Sequence, residues 1–151
     1  WDHSSSLDWD LLNYDRHEGL CRWVADLNRI YKIEQALQLD TEPAGFEWID
    51  GSDSDNSVIS FLRKGVHPQD AMLVVCNFTP LPRPGYGVGV PAGGYWKEIL
   101  NSDGKEYWGS GMGNLGGVQA EAEPFHGRSY SLKLALPPLA ICFLKPKISK
   151  A

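Results

Sequence analysis

Two short apolar runs separated by a pair of prolines decide the fold class of this chain, in the stretch YSLKLALPPLAICFL at residues 130–144. Leu132, Leu134 and Leu136 alternate with other residues, which is the two-residue period of a strand with one buried face. The two prolines end that strand because proline cannot donate a hydrogen bond to a ladder. The pattern predicts two successive strands, at residues 130–136 and 139–144.

Strands of the same kind recur upstream, where short apolar runs are separated by turn-forming residues. They cover residues 46–50, 58–63, 72–78, 83–90 and 95–100. The run at 83–90 is rich in glycine and proline, so we expect an irregular or edge strand there. Short strands at this density are typical of an antiparallel sandwich. The predicted fold class is mainly β, an antiparallel β-sandwich over residues 41–146 with a tail at 147–151.

One long amphipathic helix precedes the strands. Asp15 is its predicted N-cap, with Glu18 placed to complete a capping-box-like pair. An apolar stripe at helical spacing predicts a helix from residue 16 to about residue 38, and the stripe consists of Leu20, Trp23, Val24, Leu27, Ile30, Tyr31 and Leu37. The stripe is wide for a helix beside a complete sandwich. We therefore expect it to pack on the sandwich or on a larger body, or to self-associate through Trp23, Leu27, Ile30 and Tyr31.

Composition excludes two classes of partner. The chain has 151 residues, of which 42% are hydrophobic and 22% are charged, so it can bury a core. Its formal net charge of −5 argues against a nucleic-acid-binding protein, because such proteins need clustered lysine and arginine to displace counterions from phosphate. No stretch approaches the roughly 20 apolar residues of a membrane helix. We expect neither nucleic acid nor a membrane as a partner.

The cysteines and histidines do not form a recognisable site. Cys21, Cys76 and Cys142 are widely spaced, and each lies within an apolar pattern. We expect three reduced core residues in a cytoplasmic protein. The four histidines are scattered without metal-ligand spacing, so neither a metal nor another cofactor is expected.

Two motifs resemble sites of chemistry but lack the residues that such sites require. The glycine-rich loop at 109–117 is followed by neither a Lys-Ser/Thr pair nor a helical pattern, which a phosphate-binding loop requires. Paired carboxylates occur at Asp8 and Asp10 and at Asp53 and Asp55. Glycosidic chemistry needs two carboxyls held across a sugar, one of them kept protonated by burial. Acidic pairs in solvated loops do not provide that, so we expect no catalytic residue.

Aromatic residues are more numerous than a small sandwich needs, with six tryptophans and six tyrosines. Flat aromatic rings stack on the apolar faces of glucose and leave its hydroxyls to polar neighbours. The candidates at strand ends or near turns are Trp48, Tyr95, Trp96, Tyr107 and Trp108. Each of these residues has a second interpretation, which is plain core packing, and the sequence leaves both open.

Blocks of residues spread over nearly the whole chain carry a family resemblance. The first group is Ser6-Leu7-Asp8-Trp9-Asp10-Leu11-Leu12, His17-Glu18-Gly19-Leu20 and Asp26-Leu27-Asn28-Arg29-Ile30-Tyr31. The second group is Pro43-Ala44-Gly45-Phe46-Glu47-Trp48, Cys76-Asn77-Phe78-Thr79-Pro80, Tyr95-Trp96-Lys97-Glu98-Ile99-Leu100-Asn101-Ser102-Asp103 and Leu134-Ala135-Leu136-Pro137-Pro138-Leu139-Ala140. These groups resemble, respectively, the end of the catalytic barrel and the C-terminal β-domain of 1,4-α-glucan (glycogen) branching enzymes of the bacterial type.

The resemblance implies a fragment of an α-amylase relative. Such enzymes cleave an α-1,4 linkage and transfer the released chain to a 6-hydroxyl, through an Asp nucleophile and a Glu acid/base that no position here matches. Residues 1–40 would be the last loop and helix of the (β/α)8 barrel, whose strand-to-helix loops form the active-site face, so Trp1 and Trp9 would line the cleft. Trp48 is the first choice for a glucan contact on the β-domain, followed by Trp96, Tyr95 and Trp108.

Two interpretations of function remain open at this point. In the first, the chain is an enzyme fragment, inactive alone, whose β-domain braces the missing barrel and helps to hold α-glucan. In the second, it is a stand-alone carbohydrate-binding or structural module. The wide helical stripe favours the first. The chain also starts at Trp1 without methionine, which fits an excised piece.

Overall fold

The computed structural model describes residues 2–147, in which one α-helix precedes eight strands and short 3₁₀ helices occur before and between these elements. A 3₁₀ helix at Trp9–Asn13 leads into helix α1, Asp15–Ile33. The strands are β1 Phe46–Asp53, β2 Val58–Arg63, β3 Met72–Asn77, β4 Arg83–Val90, β5 Gly94–Asn101, β6 Gly117–Ala120, β7 Tyr130–Leu136 and β8 Ala140–Pro146. A further 3₁₀ turn, Lys105–Tyr107, lies between β5 and β6.

The strands form two unequal antiparallel sheets packed face to face. The larger has the order β1-β2-β3-β8-β5-β6, and the smaller pairs β4 with β7. Leu132, Leu134 and Leu136 of β7 face Leu73 and Val75 of β3 in a fully buried core between the sheets. This confirms the predicted antiparallel sandwich.

Several predicted boundaries hold and others change. The strands predicted at 58–63 and 130–136 have those bounds, and the glycine-rich run at 83–90 is a strand with an irregular register between Arg83 and Tyr86. Strand β6 was not predicted, because its four residues follow directly on the glycine-rich loop. The helix ends at Ile33, five residues before the predicted end, because Glu34 adopts an extended backbone.

The predicted capping of the helix is wrong. Tyr14, not Asp15, is the N-cap residue, and it makes no side-chain cap hydrogen bond. Asp15 and Glu18 both lie in the first turn, where their negative charges interact favourably with the positive end of the helix dipole. The Glu18 carboxylate pairs with Arg22 four residues further on instead of completing a capping box.

Helix α1 packs on the outer face of the larger sheet and makes a third layer. Ile30, only 3% exposed, shares a second core with Val74 and Phe143, and Trp23 and Leu27 pack half-buried against it. Three of the four residues expected to mediate self-association are therefore in contact with the sheet. That expectation is corrected for Trp23, Leu27 and Ile30, and of the four only Tyr31 stays exposed.

The other half of the apolar stripe remains uncovered. Leu20, Val24 and Tyr31 are exposed on α1. Leu7, Trp9, Leu11, Leu12 and Tyr14 are exposed on the segment that precedes the helix. We call this set of eight residues the open helix face.

Polar contacts also join α1 and the segment after it to the sheet. The Tyr107 hydroxyl donates to Asp26 at 2.7 Å, and the Lys145 ammonium group donates to Glu34 at 2.5 Å. Gly19 is buried against the backbone of Tyr107, where a β-carbon would come within 2.9 Å of the carbonyl carbon. The helix and the sheet therefore form one packed unit.

The cysteine prediction holds in part. Cys76 and Cys142 are buried, whereas Cys21 is exposed on α1, and all three are free thiols. Burial raises the pKa of the Cys76 thiol to about 11. Within the described part of the chain, no helix has both the length and the apolar character that crossing a membrane requires.

Candidate functional site

The structure does not bring the sequence-predicted site residues together. Trp48 lies on β1, Tyr95 on β5, Trp108 just after the Lys105–Tyr107 turn, and Trp9 on the N-terminal 3₁₀ helix. In the larger sheet β1 and β5 are four strand spacings apart, roughly 19 Å at about 4.8 Å per spacing. Trp1 lies outside the described residues. The exposed aromatics are therefore separate candidates rather than one site.

Trp96 is corrected from a glucan contact to a core residue. Its side chain is 0% exposed, and its indole N–H donates a 3.0 Å hydrogen bond to the carbonyl of Ala92. Successive side chains in a strand point to opposite faces, so its neighbour Tyr95 faces the other way and is partly exposed. The ring of Trp96 has no free surface on which a sugar could stack.

Tyr107, the other aromatic considered at a turn, holds the helix. Its ring packs edge-on against Trp23 with centroids 5.1 Å apart, and its hydroxyl donates to Asp26. Burial and the Asp26 carboxylate raise the pKa of the Tyr107 hydroxyl. The Tyr107 hydrogen bond, in turn, lowers the pKa of Asp26. Both groups therefore keep the protonation states that their hydrogen bond needs at neutral pH.

Trp48 is the central residue of an exposed aromatic cluster. Its indole is 55% exposed and packs edge-on against Phe46 and Phe61, with centroids 5.0 and 5.8 Å away. Gly51 lies beside the ring, where a β-carbon would come within 3.3 Å of Cε3. We call Phe46, Trp48 and Phe61 the aromatic shelf. It combines a supported ring with an open surface.

Polar groups lie at one end of the aromatic shelf. Arg63 is opposite Phe46 in the sheet, donates to the Gly45 carbonyl at 3.2 Å and pairs with Asp40 at 2.5 Å. The hydroxyl of Tyr31 donates to the same carboxylate at 2.7 Å. Arg63 and Tyr31 lower the pKa of Asp40, so this carboxylate is ionised and accepts hydrogen bonds at neutral pH.

A second ionised carboxylate lies next to Trp48 in the sequence. Glu47 pairs with Lys64 at 2.9 Å and also with Arg128, and the Lys64 hydrogen bond is the main cause that lowers its pKa. Nothing in the local sequence around Trp48 predicted these partners. Lys64 directly follows Arg63, the last residue of β2, and Arg128 lies 80 residues after Trp48 in the chain.

Trp108 forms a smaller separate cluster with the start of α1. The guanidinium carbon of Arg16 lies 5.1 Å from the centre of its ring. Tyr14, Asp15 and His17 complete the walls of a cavity of about 370 Å³. Trp108 is 52% exposed and adopts a left-handed backbone, with φ of 70°.

One of the acidic pairs in the sequence contains a carboxylate with clear structural partners. Among residues 2–147, no three His, Cys, Asp or Glu side chains lie close enough to hold a metal ion. Asp53, one of the paired carboxylates, accepts hydrogen bonds from Tyr86 at 2.6 Å and from Asn56, which lower its pKa. It links the β1–β2 turn to the smaller sheet, which is a structural role.

Comparison with known proteins agrees with the fold and with the sequence resemblance. Residues 48–147 match the family described as alpha amylase, C-terminal all-beta domain. The chain belongs to this family. The match begins at Trp48, the centre of the aromatic shelf, so the family region contains Phe61 and Trp108 but neither α1 nor Phe46.

Similarity over a longer stretch is to proteins named 1,4-alpha-glucan branching enzyme GlgB. The protein from Aquifex aeolicus is 60% identical over 146 residues, which are 96% of this chain and 23% of that relative. Those from Aromatoleum aromaticum and Cereibacter sphaeroides are 53% and 55% identical and cover 100% and 97% of this chain, but only 24% and 20% of the relatives. This confirms the predicted resemblance. The chain spans between a fifth and a quarter of the length of the relatives it matches.

Proposed function

We propose that this chain is the part of a 1,4-α-glucan branching enzyme that braces the catalytic barrel and holds glucan beside it. The parent enzyme would cleave α-1,4-glucan and transfer the released chain to a 6-hydroxyl, which creates an α-1,6 branch. The similarity to proteins named branching enzyme, over nearly the whole chain, supports the parent activity. The exposed aromatic shelf is the observation that carries the glucan-holding role.

The chemistry belongs to the remainder of the parent enzyme in this proposal. A retaining glycosidase needs a general acid whose pKa is raised above its ordinary value. Hydrogen bonds from neighbouring side chains lower the pKa values of five carboxyl groups, which are Asp2, Asp26, Asp40, Glu47 and Asp53. They are hydrogen-bond acceptors rather than proton donors, which supports an inactive fragment.

The bracing role rests on the open helix face. Contiguous exposed apolar surface marks a site of contact with another protein surface. We assign the (β/α)8 barrel as its occupant, with residues 1–40 as the last loop and helix of that barrel. The length of the relatives supports this, because 76–80% of each lies outside the region this chain covers. The helix would then be shared, with one side on the sheet and the other on the barrel.

The glucan-holding role rests on the aromatic shelf and its polar end. Glucose presents apolar C–H faces to an indole and hydroxyls to its surroundings. Trp48 provides the open ring, and the ionised Asp40 carboxylate provides a polar group beyond Phe46. The substrate class is a linear α-glucan such as a malto-oligosaccharide. Tyr95, Trp108, Trp9 and Trp1 remain further candidate contacts.

A cytoplasmic location completes the proposal. All three cysteines are free thiols, although two of them, Cys76 and Cys142, are buried on the neighbouring strands β3 and β8. Free thiols are typical of a reducing compartment. Glucan storage inside a cell would place enzyme and substrate together there.

Calorimetric titration of the 151-residue chain with maltoheptaose tests the glucan-holding role. We expect binding that is lost, or weakened at least tenfold (about 1.4 kcal/mol), in Trp48→Ala. Phe78→Ala is the control, because it removes an equally exposed aromatic ring that is neither part of the aromatic shelf nor a candidate glucan contact. Unchanged affinity in Trp48→Ala, or no binding by the unaltered chain, would reject the shelf as a glucan site and leave bracing as the remaining role.

The alternative function is a stand-alone module, which the shared core of α1 and the sheet favours because the chain packs without another domain. The two candidate functions differ in whether another protein domain covers the open helix face. We would mix the chain with an Aquifex aeolicus relative lacking the corresponding region and measure complex formation by ultracentrifugation. A complex that Val24→Asp abolishes supports the brace. A monomeric chain that forms no complex supports the stand-alone module, and a dimer that Val24→Asp dissociates supports self-association.

A further inference from the structure

The segment between β6 and β7 crosses the backbone of β4. We call residues 121–129 the strap. Phe125 and Arg128 exchange backbone hydrogen bonds of 3.0 and 2.9 Å around His126 and Gly127, whose φ angles of 48° and 71° suit a tight two-residue turn. A β-carbon at Gly89 of β4 would lie 2.1 Å from the carbonyl oxygen of Phe125, so glycine is required at this crossing.

From this crossing, two side chains of the strap extend to β1. Arg128 is nearly buried, with 12% of its side chain exposed. Its Nη2 pairs with Glu47 and donates to the carbonyl oxygen of Trp48 at 3.3 Å, while its Nη1 donates to the His126 carbonyl at 3.1 Å. The Nε2 atom of His126 lies 3.7 Å from the Asp50 carboxylate. The strap therefore contacts residues on both sides of Trp48 as well as Trp48 itself.

The backbone of β1 needs support at this point. It is the first strand of the larger sheet, so only one of its edges is paired with another strand. The register with β2 shifts between Trp48 and Asp50, where Ile49 is an extra residue whose side chain packs into the core. Bulges of this kind interrupt the ladder and redirect the neighbouring side chain.

We propose that Arg128 is a positioning residue that fixes the backbone of Trp48 and thereby the orientation of its exposed indole for glucan. The inference rests on the proposed function, since glucan is the ligand assigned to the aromatic shelf. A ring that is already fixed loses less conformational freedom when a sugar stacks on it, which increases affinity. Arginine suits this role because its planar group serves a carboxylate and two carbonyls at once, which the single ammonium of lysine does not do in a fixed geometry.

The chain offers a matched control for this role. Lys64 and Arg128 both pair with Glu47, but of the two only Arg128 donates to the Trp48 carbonyl. Arg128→Met and Lys64→Met therefore both remove one partner of Glu47 and differ in the contact to Trp48. Arg128→Lys keeps the charge next to Glu47, and it serves as the second variant if Arg128→Met folds poorly.

The experiment labels the chain with 5-fluorotryptophan and records ¹⁹F spectra, in which the Trp48 resonance is the one missing from Trp48→Phe. Maltoheptaose affinity and the melting temperature are measured on the same samples. We expect Arg128→Met and Arg128→Lys to shift or broaden the Trp48 resonance and to weaken affinity roughly 3- to 10-fold, which lies within the net contribution of a typical hydrogen bond. Lys64→Met should leave the Trp48 resonance and the maltoheptaose affinity unchanged.

Two results would overturn the proposal. The first is a Trp48 resonance that stays unchanged in both Arg128 variants. The second is an equal effect of Lys64→Met, which would reduce Arg128 to an ordinary partner of Glu47. Failure of the proposed function gives a different result. In that case the unaltered chain does not bind maltoheptaose, or the unaltered chain, Trp48→Phe and Trp48→Ala all bind it with the same affinity. In that case the ¹⁹F spectra still decide whether Arg128 orients the indole.

Discussion

The hydroxyl of Tyr107 donates a 2.7 Å hydrogen bond to the carboxylate of Asp26, and so joins a loop of the sandwich to the middle of helix α1. The same ring packs edge-on against Trp23. The Lys145–Glu34 ion pair lies just after the C-terminal end of the helix. Together these two contacts hold α1 in a single orientation on the sheet. The energetic importance of these contacts is open to measurement.

Removing the Tyr107 hydroxyl should loosen the helix more than the sheet. A hydrogen bond to a charged group contributes about 1.5–3 kcal/mol, so Tyr107→Phe should lower the free energy of unfolding by about that amount. Hydrogen exchange should accelerate at the amides of α1 before those of β3. Tyr14→Phe, which changes an exposed tyrosine at the helix N-cap, is the control. Equal exchange rates in Tyr107→Phe and the unaltered chain would contradict the role of this contact.

The two sides of the apolar stripe should respond differently to truncation. Ile30→Ala leaves a cavity beneath the helix and should cost about 2–5 kcal/mol in urea denaturation. Val24→Ala, on the open helix face, should change stability by less than about 0.5 kcal/mol, because its side chain is exposed and alanine is the better helix former. Similar losses in the two variants would mean that the stripe is not divided between a buried and an open side.

The two tryptophans Trp96 and Trp48 should separate stability from ligand binding. Trp96→Ala removes a fully buried ring and its hydrogen bond to Ala92, so it should cost about 3–5 kcal/mol. Trp48→Ala removes a half-exposed ring and should cost about 1 kcal/mol or less. Chemical denaturation of both variants measures this difference. A large loss of stability in Trp48→Ala would show that the aromatic shelf is mainly a packing element.

Protonation of Asp26 at acidic pH should weaken the packing of the helix on the sheet. The pKa of Asp26 in the folded chain lies below its ordinary value of 3.8, chiefly because Tyr107 donates to it. The ionised form is therefore stabilised in the folded state, so this contribution is complete above pH 3.8 and is lost as the pH falls through the folded pKa. Melting temperatures between pH 2 and 7 should fall on the acid side, and less steeply in Tyr107→Phe. Parallel curves for the two proteins would assign the acid sensitivity to other groups.

The sequence predicted the parts of the fold in which one residue pattern determines one outcome. The alternation of Leu132, Leu134 and Leu136 fixed the limits of β7 because only one face of that strand meets the core. The predicted end of α1 was wrong because the apolar pattern continues beyond the helix. Ala36 and Leu37 still pack against the sheet, so the apolar periodicity continues, but they do so from a 3₁₀ turn after the chain has left the helix.

The candidate site was less accessible to prediction. Tyr95 and Trp96 are adjacent aromatics, so alternation implied opposite faces without indicating which face was the core. The partners of Trp48 depend on strand register and on the path of the strap. Phe61 comes from the pairing of β1 with β2, and Arg128 comes from a crossing that only Gly89 permits. None of these relations is encoded near Trp48 in the sequence.

The shared core beneath α1 has a practical consequence for engineering chimeric enzymes. The family region begins at Trp48, so a splice placed there would remove the helix and leave Met72, Val74 and Phe143 in contact with water. Such a chimera would be prone to aggregate through that bare sheet. A splice ahead of Asp15 transfers the sheet together with helix α1, which packs on it. The barrel of the recipient enzyme then needs to be complementary only to the open helix face.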